Sequence, residues 1–151
     1  MSLSSADELL RLTARLNRWA SARAAFTVPT AQARLLGHID DLQPVRITAL
    51  AQADHSSQPG VTAQVNRMEA SGLVRRVVDD SDARASLVEL TEQGSAALAV
   101  TRASRASGLT PHLEELTPEQ LDDLHRGLRV ISHLVENLGT PTITTPVQQK
   151  D

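Results

Sequence analysis

The sequence predicts a mainly α-helical protein with a small β-hairpin wing (α+β): a winged helix-turn-helix joined to a helical dimerisation region. Three observations predict it. Residues 46–94 read as two short helices, a strand, a charged turn, a second strand and the start of another helix. The second of those helices keeps its apolar residues on one side, Val61, Val65 and Met68 at i, i+4 and i+7. The two ends of the chain are amphipathic helices with more apolar surface than a domain of 151 residues needs for its own core. The predicted boundaries are 5–40 and 92–139 for the dimerisation region, 41–91 for the winged helix-turn-helix, and 140–151 for a mobile tail.

Each element has its own signal. Ser5-Ala6-Asp7-Glu8 has capping-box spacing, and Leu9, Leu12, Leu16, Trp19 and Phe26 follow on one helical face. Val28-Pro29 breaks that helix. Thr30 is positioned to cap a second, with Ala33, Leu36 and Ile39 apolar, and Pro44 stops it. Ile47, Leu50 and Ala51 form the apolar side of a short third helix. Ser57 caps the fourth, and Gly72 ends it by supplying a left-handed residue.

Val and Leu recur in Leu73–Asp79 and Ser86–Thr91, which read as strands joined through a polar tip at 80–84. Thr91 caps a fifth helix through Leu98 and Ala103, which Gly108 and Pro111 are expected to bend or break. Thr117-Pro118-Glu119-Gln120 is the strongest helix start in the chain. Leu121, Leu124, Leu128, Ile131, Val135 and Leu138 then alternate three and four residues apart, close to a heptad seam, and Gly139 closes it. Together with Leu9, Leu12 and Leu16, these six residues are the candidate dimer interface.

Composition narrows the chemistry. The chain has no cysteine, which excludes disulfides and thiolate metal sites. Its five histidines are scattered, and His125 and His133 lie about two turns apart on one helix, too far to share an ion. No G-x-S-x-G elbow or phosphate-cradling glycine loop is present. The expectation is therefore no catalytic residue, no metal and no cofactor. No apolar run reaches the ~20 residues of a membrane helix, and the N-terminus lacks a basic region followed by an apolar one. A cytoplasmic protein without a membrane partner is expected. The net charge of −3 argues against general polyanion binding but leaves room for a local basic patch.

The fourth helix is the candidate reader of a DNA duplex. With Val61, Val65 and Met68 turned inward, Pro59, Thr62, Ala63, Asn66 and Arg67 fall outside, and Gln58 lies in the first turn. Gln and Asn pair bidentately with adenine; Arg pairs with guanine or holds a phosphate. Ser56, Ser57 and Thr62 can donate to phosphates, and the helix N-terminus favours an anion. The full candidate set is Ser56, Ser57, Gln58, Pro59, Thr62, Gln64, Asn66, Arg67, Arg76 and Arg84. The hairpin tip carries Asp79, Asp80 and Asp82 with Arg84 as its single cation, so Arg84 is the residue to enter a minor groove and Asp82 its pairing partner. A polar outer face is also what any solvated amphipathic helix presents. A winged helix used for protein contact is therefore the alternative.

The segment LAQADHSSQPGVTAQVNRMEASGLVRRVVDDSDARASLVELTEQG resembles the winged-helix core of MarR-type transcriptional regulators. The matching residues are Leu50-Ala51, Thr62, Gly72-Leu73-Val74, Arg76, the Asp79-x-x-Asp82-x-Arg84 wing and Leu90-Thr91-x-x-Gly94. The resemblance extends over roughly residues 5–139. It implies a homodimer that binds double-stranded DNA at a pseudopalindromic operator, usually as a repressor. It also implies a small-molecule effector, often an aromatic or phenolic anion, that releases the DNA. Trp19, Phe26 and His38 are the candidate walls of an effector pocket, with Arg15 to meet the anion. Ala63 and Ala83 stand where the family commonly carries polar or basic residues, which implies fewer base contacts and a weaker wing.

Overall fold

The computed structural model describes residues 3–80 and 85–138. Their order is α1 (Leu3–Arg23), α2 (Thr30–Leu42), β1 (Val45–Arg46), α3 (Ile47–Ala53), α4 (Gln58–Ala70), β2 (Val74–Val78), β3 (Ser86–Leu90), α5 (Glu92–Glu114) and α6 (Pro118–Asn137). The mainly α fold with a small antiparallel sheet is the winged helix-turn-helix the sequence predicts. The chain divides into two compact units, Met1–Leu109 and Thr110–Asp151.

The sheet of the first unit has the order β1-β3-β2, antiparallel throughout. In the hairpin Val74 faces Leu90, Arg76 faces Val88 and Val78 faces Ser86. The two-residue β1 adds Val45 opposite Val88. Sequence reasoning missed β1 because a two-residue strand has no periodicity of its own; its partner β3 lies some 40 residues downstream.

One core holds this unit together. Leu35, Leu36 and Ile39 of α2 meet Leu50 of α3, Val61, Val65 and Met68 of α4, and Val74 and Val88 of the sheet, with Leu98 of α5 closing it. Two helix ends aim the reader helix. After α3, His55 has φ 52°; its N–H donates to the Gln52 carbonyl and that of Ser56 to the Ala51 carbonyl. After α4, Gly72 has φ 71°; its N–H donates to Glu69 O and that of Leu73 to Met68 O. Both are the paired bonds that terminate a helix through one left-handed residue. The first is less legible because histidine replaces the usual glycine.

The Leu90-Thr91-x-x-Gly94 stretch has a packing reason. Thr91 caps α5, its hydroxyl accepting from Gly94 N at 3.0 Å and donating to Gly72 O at 2.5 Å. A Cβ on Gly94 would sit 1.9 Å from the Leu73 carbonyl oxygen, so only glycine lets α5 approach the end of the reader helix this closely.

Four boundary expectations are corrected. Helix α1 begins at Leu3, so Ser5 lies inside its first turn and does not cap it; helix starts drift by a residue or two when the preceding residues also favour helix. It ends at Arg23, leaving Phe26 beyond it. The Ala25 N–H there donates to Ser104 Oγ of α5 at 2.8 Å instead of continuing the helix. Pro29, not Thr30, stands at the N-cap of α2, with ψ 141° and no side-chain cap bond. Helix α5 runs unbroken through Gly108 and Pro111. Pro111 lies three residues from its C-terminus, where the missing N–H forfeits one bond of a ladder about to end.

Candidate nucleic-acid interface

Helix α4 presents the face the sequence predicts. Ser57 is its N-cap, accepting from Gly60 N at 3.3 Å, and Pro59 lies in the first turn, where no N–H is needed. Val61, Val65 and Met68 are at most 1% exposed. Gln58, Pro59, Ala63, Asn66 and Arg67 are exposed, as are Ser56 and Ser57; Thr62 and Gln64 are half-buried. Solvent thus meets two amides and a guanidinium along one side of a rigidly seated helix.

Of the three hydroxyls expected to donate to phosphate, Ser56 and Thr62 already donate within the protein, and Ser57 accepts. Ser57 Oγ serves the cap. Thr62 Oγ1 donates to Gln58 O at 2.8 Å and Ser56 Oγ to Asp54 Oδ2 at 2.5 Å. Arg76 is also held. Its Nε donates to Glu69 Oε2 at 3.1 Å, one Nη to Ser86 Oγ at 3.1 Å and the other to Asn66 Oδ1 at 2.7 Å.

The turn between α3 and α4 is anchored from α2. The Asp54 carboxylate, 2% exposed, accepts from both Arg34 Nε and Arg34 Nη2, the latter at 3.0 Å, and lies 3.5 Å from His38 Nε2. The Arg34 hydrogen bonds hold this carboxyl below the usual carboxylate range, aided by Ser56 and against the opposing pull of burial. Asp54 in turn raises the Arg34 pKa.

Two residues at this face escaped sequence reasoning. Arg46 and Thr48 join Gln58, Ala85 and Ser86 around a cleft of about 250 Å³ between the start of α4 and the wing. Arg46 reaches Asp79 Oδ2 at 2.5 Å through Nη2 and 2.7 Å through Nε. Asp79 is accordingly only 6% exposed. It is not a solvated residue of the hairpin tip as the sequence suggested, because its charge is matched from β1. The only signal for Arg46 was its place between Val45 and Ile47, an alternation typical of strands. Asp82 and Arg84, the expected wing pair, lie outside the described residues.

The candidate effector residues have the following surroundings. Arg15 is exposed and Phe26 half-buried, Trp19 stacks under Arg23 at 4.3 Å, and His38 turns toward Asp54. A groove of about 320 Å³ lies between α1 and α5, lined by Thr13, Leu16, Asn17, Ala20, Arg102, Arg105, Ala106 and Leu109. Arg105 donates to Asn17 Oδ1, while its buried Nε has no partner. Among the described residues, no group of three His, Asp or Glu is placed to hold a metal ion, and no helix is long and apolar enough to cross a membrane.

Comparison with known proteins agrees with this geometry. The sequence profile of the MarR family matches residues 26–85, from the lead-in to α2 to the wing. An HTH-type transcriptional regulator of Bacillus subtilis strain 168, YfiV, is 26% identical over 106 residues, which is 70% of this chain and 66% of that protein. The chain thus spans about two thirds of that relative's length. A transcriptional regulator of Thermotoga maritima superposes with a TM-score of 0.70 at 20% identity, covering 87% of this chain and 96% of that one. A MepR mutant of S. aureus bound to an oligodeoxyribonucleotide has the same fold, with a TM-score of 0.57 at 16% identity over 88% of this chain and 99% of that one. The profile match lies on the helix-turn-helix and wing built above, so this part of the chain is similar to the MarR family, and the solved structures share its fold.

Proposed function

We propose that this chain is a transcriptional regulator that binds double-stranded DNA, a repressor acting as a homodimer on a pseudopalindromic operator. One observation carries the reading: α4 buries every apolar residue of its inner face and turns Gln58, Asn66 and Arg67 outward beside the wing. Gln and Asn amides match adenine edges, and a guanidinium matches guanine or phosphate. Support also comes from the MepR relative, which has this fold and binds an oligodeoxyribonucleotide.

The dimer rests on apolar surface left uncovered. Leu10, Leu12 and Leu16 of α1 are 48–69% exposed, and Leu128, Val130, Leu134, Val135 and Leu138 in and just beyond α6 are 45–70% exposed. Such surface is costly to leave in water, and a second copy is its most economical cover. For the effector, we propose the α1–α5 groove as the site. Its apolar wall and the unpartnered Nε of Arg105 suit a small anion with an apolar body, while Arg102 is paired with Asp40 at 2.9 Å.

The test is selection of duplexes from a randomised pool, followed by titration of the selected duplex against competitor DNA. Saturable binding that survives competitor, weakened several-fold by Arg67→Ala, is the expected result. Failure to enrich any sequence would overturn the reading in favour of a protein-contact module.

A further inference from the structure

Resting on that reading, we infer that Arg76 is a positioning residue that fixes which end of the Asn66 amide faces the DNA, and not a phosphate contact. Arg76 lies on β2, in the wing. Its three nitrogens reach three residues on two elements: Glu69 and Asn66 on α4, and Ser86 on β3. A guanidinium carries only donors. Only the oxygen of the Asn66 amide can face it, as the 2.7 Å bond to Oδ1 shows. The amide NH2 is thereby turned to the other side. Asn66 is exposed while the Arg76 side chain is 28% exposed, so the amide projects beyond the group that orients it.

The consequence is a definite readout. An asparagine free to flip offers the groove a donor or an acceptor. With Oδ1 engaged by Arg76, Asn66 offers its donor. In the major groove guanine, adenine and thymine all present an acceptor, whereas cytosine presents only its amino donor. The position facing Asn66 in each half-site therefore rejects cytosine and tolerates the other three bases. Glu69 offsets the Arg76 charge at 3.1 Å, which further ill-suits this arginine to a phosphate.

The test uses full-length protein and duplexes selected by the wild-type chain, with wild type, Arg76→Lys, Arg76→Gln and Asn66→Ala compared. Lysine keeps the charge and loses the planar fork. Three results are expected. Cytosine becomes tolerated at one position per half-site in Arg76→Gln and Asn66→Ala, whereas Arg76→Lys, whose ammonium also carries only donors, keeps rejecting it. Combining Arg76→Gln with Asn66→Ala adds nothing at that position. The slope of log affinity against log salt is unchanged in Arg76→Gln. A slope reduced by about one or more in Arg76→Gln would make Arg76 a phosphate contact and overturn the inference. So would unaltered base preference in Arg76→Gln, or loss of its folded state by thermal melting. Absence of any selected duplex for wild type would instead remove the DNA-binding reading itself, and this inference with it.

Discussion

Helices α4 and α6 have the same kind of pattern and opposite fates. Each repeats apolar residues at three- and four-residue intervals and each starts with a hydroxyl cap and a proline in its first turn. In α4 the apolar residues are sealed, with Val65 and Met68 fully buried. In α6 none is buried, and Leu128 and Val135 are 49% and 60% exposed. Periodicity identifies the face that must be covered; it does not say what covers it. For α4 the cover is α2, α3 and the sheet of the same chain. For α6 we propose that it is a second copy.

Matched substitutions sharpen that contrast. Met68→Ala should cost about 2–5 kcal/mol, read from denaturant unfolding, because it opens a cavity in a closed core. Leu128→Ala should cost the isolated chain no more than about 0.5 kcal/mol, as for a surface site. Leu128→Asp with Val135→Asp should leave helix content intact and yield a monomer by sedimentation at micromolar concentration. A monomeric wild type would break the comparison.

The next effect concerns what aims α4. Asp54→Asn should cost about 1–2 kcal/mol, since Arg34 is half exposed and solvent screens its side of the bond. The pH dependence has a definite sign. The Asp54 pKa is lowered in the folded state, so its stabilisation is present above the ordinary carboxylate pKa of about 3.9. It is lost as pH falls through the lowered value. Melting temperature should drop in that acid range for wild type and less for Asp54→Asn. The smallest effect is a gain. His55→Gly relieves a left-handed residue at the end of α3 and should stabilise by about 0.5–1 kcal/mol.

What was legible in the sequence was local. The Ser57 cap, the Gly72 helix end, the Thr117–Gln120 capping box and the buried triad of α4 each depend on residues within a turn or two. Thr117 accepts from Gln120 N at 3.2 Å while Gln120 Oε1 accepts from Thr117 N at 2.9 Å, the reciprocal pair that the tetrapeptide encodes. The rest was set by distant partners. Arg34 meets Asp54 across 20 residues and Arg46 meets Asp79 across 33. Strand β1 exists only because β3 returns beside it. Arg76 reads as a DNA-contacting cation in the sequence, and only the return of β2 along α4 shows that each of its three nitrogens bonds within the protein, to Asn66, Glu69 and Ser86. The same holds for α5, where Gly108 and Pro111 are local signals for a break that the helix overrides.

The most direct test of the account is a hydroxyl-radical footprint of the full-length chain on its selected duplex. Two protected patches related by a dyad, their major-groove centres about 10 base pairs or one helical turn apart, are predicted from two copies of α4 across a two-fold axis. A single protected patch without a symmetry mate would contradict it.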